Sequence, residues 1–196
     1  MERALVLGHW TLDIRRAAAV VLGALIVAGA AQVSIPLPGT PVPMTLQPMA
    51  VLLVGGLLGA PLGALSMILY LAMGAAGLPV FTPTVPLLGV ARLLGPTGGY
   101  LLAYPVAAWV VGRFSDPGRQ PGDPGAGAAW LRLSIGVVVG LVLIHLGGLA
   151  QLAILTGNVS AAARFGTLPF LLGDLVKIAV LVPVLTKLTP TIRARL

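Results

Sequence analysis

Between Arg16 and Arg92 the chain carries no charged side chain. A soluble domain has roughly 25% charged residues, because water must wet its surface. Here the whole chain of 196 residues has 9%, against 58% hydrophobic, and its mean hydropathy is +1.03. Too few charges remain to cover a water-facing exterior, so lipid is the solvent for most of the protein. The class that follows is an all-α integral membrane protein. A net charge of +7 would point to nucleic acid in a soluble protein. The basic residues instead sit between and beside apolar runs, and no basic stripe carries interleaved aromatics. Nucleic acid is therefore excluded as a partner, and the excess reads as the positive-inside bias. With no cysteine there is no disulfide, thiolate zinc site or catalytic thiol.

The apolar runs predict six membrane-spanning helices. The first covers Ala17 to Ser34, long enough to span. Arg15 and Arg16 precede it and Ala28-Gly29-Ala30 fits a signal-peptidase site, so a cleaved signal peptide is one reading. Five further apolar segments favour an uncleaved first helix. Ile35 to Pro48, IPLPGTPVPMTLQP, has prolines that oppose regular helix and sheet yet carries no charge. It is either an ordinary external loop or a segment folded back into the protein, where irregular backbone is tolerated only when buried or lining a cavity. Met49 to Leu78 is too long for one span. Gly59-Ala60-Pro61 divides it into a short helix ending near Gly59 and a second from Pro61 to Leu78, because proline suits a first helical position. Pro79 to Gly98 is again rich in proline and glycine. A fourth helix is expected from Gly99 to Gly112, a fifth from Leu131 to Thr156 and a sixth from Pro169 to Leu188. Arg113 to Ala129, RFSDPGRQPGDPGAGAA, reads as a flexible hydrophilic linker to about residue 130. The chain is thus expected to be one transmembrane substrate-binding domain over residues 1–196.

An even number of spans places both termini on one side. That side then holds Arg3, Arg15, Arg16, Arg113, Arg119, Arg132, Lys187, Arg193 and Arg195, and the other only Arg92 and Arg164. The asymmetry predicts both termini in the cytoplasm. Trp109 and Trp130 fall at the cytoplasmic ends of the fourth and fifth helices, where indoles prefer to sit.

Chemistry concentrates in Gly173-Asp174-Leu175-Val176-Lys177. Three residues apart on a helix, Asp174 and Lys177 share a face, roughly 8–12 Å below the expected helix start. Charges there are costly unless paired. The pair is either a structural ion pair or a ligand site, and the uncharged loops converging on the same side favour the site. Arg92 precedes Gly95-Pro96-Thr97-Gly98-Gly99-Tyr100, where glycines let a ligand approach backbone N–H groups and Thr97 would cap the fourth helix. A capped turn with a solvated arginine is the alternative. Tyr100 and Tyr70 read as interfacial belt aromatics or as cavity walls. Thr45 and Gln47 are either loop-stabilising or ligand contacts. His145 is either a proton or substrate element, as a lone intramembrane histidine often is, or a satisfied packing residue beside Gly147 and Gly148, and the neighbouring glycines favour packing. With only His9 besides it and no carboxylate one or two turns away, it forms no metal site. Asn158 before Ser160 matches a glycosylation sequon, read here as chance. Helix one offers small residues at Ala19, Gly23, Ala24 and Ala28, a face for close packing inside the chain or for docking a partner. No G-x-x-x-x-G-K-[ST] phosphate loop exists, and no catalytic constellation is evident. The protein is read as a non-enzyme, with a membrane enzyme built on Asp174, Arg92 and His145 as the minor alternative.

The runs Ser34-Ile35-Pro36-Leu37-Pro38 and Pro41-Val42-Pro43-Met44-Thr45-Leu46-Gln47-Pro48 resemble the first loop of the BioY family of biotin transporters. Gly74 to Phe81, Gly95 to Tyr100 and Gly173 to Lys177 resemble further blocks of that family, in the family's order. The resemblance implies a substrate-binding, or S, component of an energy-coupling factor transporter in a prokaryotic cytoplasmic membrane. It implies a six-helix bundle in lipid whose Pro-rich first loop covers an outward-facing pocket, with biotin as the ligand and no cofactor in the chain itself. It points to Asp174 and Lys177, and also to Arg92, Gln47, Thr45 and Tyr100, as substrate-binding residues. A transmembrane coupling protein and two ATPase subunits are the implied partners, with ATP used only by those subunits and the small residues of helix one as the docking surface. A solitary carrier of biotin or of another vitamin is the alternative within the same fold.

Overall fold

The computed structural model describes residues 14–115 and 126–196. Arg3, His9, Arg119 and most of the expected linker lie outside the described residues.

Helix α1 (Ile14–Gln32) buries Gly23, Ala24, Val27, Ala28 and Ala31, one stripe at helical spacing. Val21, Leu22, Leu25 and Ile26 on the opposite face are exposed, as lipid-facing residues should be. Two short strands follow, β1 (Ser34–Ile35) and β2 (Met44–Thr45), paired antiparallel with Ser34 opposite Thr45 and Ile35 opposite Met44. The expectation of a wholly irregular first loop is corrected by this pairing. Its paired residues flank Pro36, Pro38, Pro41 and Pro43, so no ladder position needs the N–H that proline lacks.

Helix α2 (Gln47–Leu58) stops at Gly59, whose φ of +89° lies in the region that L side chains avoid. That one residue reverses the chain, and α3 (Ala60–Ala75) starts with Pro61 in its first turn. The predicted helical hairpin is present, shorter at its far end than the apolar run suggested. The next connection, rich in proline and glycine, nevertheless contains a short helix, α4 (Val90–Leu94). Helix α5 (Gly98–Ser115) and helix α6 (Ala126–Thr156) both reach into the expected linker, so its helical ends at 113–115 and 126–130 correct that boundary. Helix α7 (Val159–Gly166) was not anticipated. Asn158 caps it by accepting a hydrogen bond from the Ala161 N–H at 3.0 Å, the mechanism that favours asparagine at this position. A 3-10 turn (Leu168–Phe170) then leads into α8 (Leu171–Arg193).

Among the described residues three stretches are long and apolar enough to cross a membrane: Ile14–Gln32, Ala129–Thr156 and Val159–Arg193, while Gln47–Leu58 and Ala60–Ala75 are shorter apolar helices. Helix α5 packs against α6, α3 and α2, and α8 packs against α2 and α6. Small residues allow these approaches, as in membrane bundles generally. A Cβ on Gly55 would strike the backbone of Ala108, and one on Gly112 the backbone of Ala60. At one end of the bundle Arg193 Nη2 donates to Gly56 O at 2.9 Å and Gly112 O at 3.3 Å. A cation thus meets the carbonyls left over where α2 and α5 end. Arg16 Nε reaches Leu196 O at 3.2 Å, so the start of α1 and the end of α8 share that end of the molecule.

Candidate functional site

Asp174 sits in the first turn of α8, where the helix dipole favours a carboxylate. Its Oδ1 accepts from Lys177 Nζ at 2.7 Å, one turn along the same helix. Its Oδ2 meets His145 Nε2 of α6 at 2.6 Å. Asp174 and Lys177 are both buried. The carboxylate therefore faces two protein donors, and charge-assisted hydrogen bonds of this length are among the stronger ones in proteins. Lys177 engages one carboxylate oxygen of Asp174 while His145 takes the other.

These three side chains line a cavity with about 600 Å³ of empty space, its open mouth included. Its apolar wall comes from Tyr100, Leu101 and Tyr104 of α5, Leu141 and Ile144 of α6, and Phe170. Val42 and Pro43 of the first connection and Pro48 in the first turn of α2 complete it. Thr45, Gln47, Thr82, Arg92 and Thr97 supply the remaining polar groups. Every residue that the sequence nominated for substrate binding thus stands on one cavity wall.

Their surroundings differ from expectation in detail. Arg92 is 1% exposed on α4, so the solvated-arginine reading is corrected. Its Nη2 donates to Thr82 O at 2.8 Å and its Nη1 to Val85 O, which folds the chain between α3 and α4 around the guanidinium. Gln151 of α6 pins the same region, donating to Gly95 O at 2.7 Å and Leu93 O at 3.0 Å. Thr97 does not cap α5: its hydroxyl is buried without a hydrogen-bond partner. Tyr100 is buried rather than a belt aromatic, and its hydroxyl donates to Gly166 O. Gly148 makes room for its ring, since a Cβ there would overlap it. Gln47 donates from Nε2 to the Tyr70 hydroxyl and accepts from Thr45 Oγ1 at 3.2 Å. Tyr70 in turn donates to Val80 O at 3.2 Å. The pair Thr45 and Gln47 therefore ties β2 and α2 to α3 while lining the cavity.

Sequence reasoning placed His145 in a packing role, and the structure corrects that by setting it on Asp174. The signal that finds it is general: titratable groups inside a membrane seek one another, and His145 is the imidazole nearest in depth. Thr82, Tyr104 and Phe170 were also missed as lining residues. They are ordinary residues near turns or in apolar runs, and only the fold gathers them.

A second correction concerns helix one. Gly23, Ala24 and Ala28 are buried, and a Cβ on Gly23 would come within 2.6 Å of Ser66 Oγ and 2.8 Å of Val54. Their small size serves the packing of α1 on α2 and α3, so these three residues are not open to a partner. Ala19 is half-buried.

Residues 3–194 match the model of the BioY family. A probable biotin transporter BioY from Pyrococcus horikoshii is 38% identical over 76% of this chain and 81% of its own length. The biotin transporter BioY of Thermotoga maritima is also 38% identical, over 80% of this chain and 85% of its own. The fold is similar to the crystal structure of the S-component for biotin from an ECF-type ABC transporter, with a TM-score of 0.76 and 26% identity over 89% of this chain and 90% of that one. With the match running from before α1 to the end of α8, the chain belongs to the BioY family.

Proposed function

We propose that this protein binds biotin and takes it up across the cytoplasmic membrane as the substrate-specific S-component of an energy-coupling factor transporter. The observation that carries the reading is the Asp174–Lys177–His145 cluster set into a mostly apolar cavity. Biotin has an apolar ring and chain, a ureido group with N–H donors and a carbonyl, and a carboxylate. A pocket with one carboxylate, one ammonium and a few neutral polar groups complements it. In this reading Asp174 accepts from ureido N–H, Lys177 meets an oxygen of the ligand, and Arg92, Gln47, Thr45 and Tyr100 complete the contacts.

Helices α1, α2, α3, α5, α6 and α8 are the six spans of a single transmembrane domain, and the cavity opens outward. The first loop covers it: Val42, Pro43, Thr45 and Gln47 face the cavity, and Thr40 Oγ1 donates to Phe165 O at 2.6 Å, joining the loop to α7. The end of the bundle that gathers Arg15, Arg16, Lys187, Arg193 and Arg195 lies in the cytoplasm, with both termini. Because the sequence holds no phosphate loop, ATP is used by partner subunits. A transmembrane coupling protein docks on the bundle and links it to two ATPases. A solitary carrier differs in one respect only: purification from its own cell brings no ATPases with it.

Equilibrium binding of radiolabelled biotin to the purified chain tests the assignment, with Asp174→Asn and Lys177→Met alongside. Each variant strands a buried partner, so affinity is expected to fall on the order of tenfold or more, about 1.4 kcal/mol per decade. Absence of binding by the unaltered chain removes biotin as the ligand. Unchanged affinity in both variants removes the cluster from the site.

A further inference from the structure

Among the described residues, buried polar side-chain atoms without a hydrogen-bond partner include Arg92 Nε, Thr97 Oγ1 and His145 Nδ1. All three residues line the cavity. Such atoms are few in native proteins and call for an explanation, and a shared cavity wall offers one. His145 is the informative member. Its Nε2 lies 2.6 Å from an oxygen of Asp174, and an ionised carboxylate only accepts, so Nε2 carries the proton. In the neutral imidazole Nδ1 is then a lone-pair acceptor. The ring is held between Tyr100, edge-on at 6.4 Å, and Phe170 at 6.3 Å. Arg92 Nε and the Lys177 ammonium can only donate, and both Asp174 oxygens already face protein donors. Of the three orphaned atoms, His145 Nδ1 is the one that can only accept.

Resting on the biotin reading, we infer that His145 is a specificity-determining ligand contact: its Nδ1 accepts an N–H of the bound ligand. Asp174 fixes the tautomer that makes this possible. The site then selects a cyclic urea over analogues whose corresponding nitrogen is alkylated or replaced by oxygen.

His145→Gln separates this role from a purely positioning one. Glutamine retains an N–H donor for Asp174 but has nothing at the place of Nδ1, whereas His145→Phe lacks both. Biotin binding to the purified full chain is expected to weaken tenfold or more in both variants. Wild-type affinity in His145→Gln, with loss in His145→Phe, overturns the proposal and leaves His145 as a support for Asp174. Failure of the unaltered chain to bind biotin instead sinks the ligand assignment and this contact with it. A readout independent of the variants' folding is the ¹⁵N spectrum of the imidazole in a His9→Gln background. Biotin should move the Nδ1 resonance upfield, as a lone pair that gains a donor does, and an unmoved resonance overturns the contact.

Discussion

Arg92 is buried in the cavity wall with backbone carbonyls of Thr82 and Val85 as its partners. A guanidinium carries donors in a fixed fork and no acceptor, which suits it to gather two carbonyls from a chain segment rich in proline. Arg92→Ala leaves both without a donor, a cost of about 1–3 kcal/mol for each buried group. Thermal unfolding of the purified protein without ligand should come at a visibly lower temperature, with Arg92→Lys in between because one ammonium cannot span both carbonyls. Unfolding of Arg92→Ala at the temperature of the unaltered chain would show that these bonds hold nothing together. At this scale the sequence was legible where cost forced the reading. Asp174 and Lys177 announce themselves because charges in hydrocarbon need a partner. Gln47 and Thr45 could be nominated for the same reason in weaker form. His145 was not, because a neutral imidazole in an apolar helix has an inexpensive alternative as a packed side chain. The difference lies in α8 supplying a carboxylate 29 positions away in sequence, which no local pattern reveals.

Helices were the most legible layer, since hydrocarbon leaves the backbone little choice. Their close contacts were less so: a glycine reads alike whether it meets a neighbouring helix or empty space. Gly112 and Gly29 show the two cases. A side chain at Gly112 would collide with the backbone of Ala60 at the start of α3, and backbone cannot swing aside as a side chain can. Around Gly29 nothing lies within 4 Å. Gly112→Val should destabilise the bundle by about 1–3 kcal/mol, the usual cost of overpacking, seen as a lower unfolding temperature in detergent. Gly29→Ala should leave that temperature unchanged or slightly higher, as alanine favours helix by up to about 1 kcal/mol. Equal effects from the two substitutions would mean that α3 and α5 do not pack through these glycines. The same ambiguity explains the error on α1, where small residues at four-residue spacing suit a partner and an internal neighbour equally. Burial of Gly23 against Ser66 and Val54 decides it. Helix α7 escaped notice because its eight residues lie between two long apolar runs, and its cap, Asn158, also fits a sequon.

For the whole molecule, the distribution of charge and the direction of the helices have to agree. Arg16 meets Leu196, and Arg193 meets the ends of α2 and α5, so the basic residues at the start of α1 and the end of α8 occupy one end of the bundle. Arg92, tallied from sequence at the opposite end, is buried and adds nothing to that surface. The asymmetry is therefore sharper than the sequence count made it, which supports the proposed orientation with the basic end in the cytoplasm. Because the chain has no cysteine, a single introduced thiol reports one position. Ser160→Cys lies at the start of α7 and Arg195→Cys beyond the end of α8, and both positions are exposed. A membrane-impermeant maleimide applied to intact cells should label Ser160→Cys at once. It should reach Arg195→Cys only after the membrane is permeabilised. The reverse pattern would place the cavity mouth toward the cytoplasm and turn the proposed direction of uptake around. Labelling of both positions in intact cells would mean an even number of crossings between them, or none, contradicting α8 as a single span closing an even set.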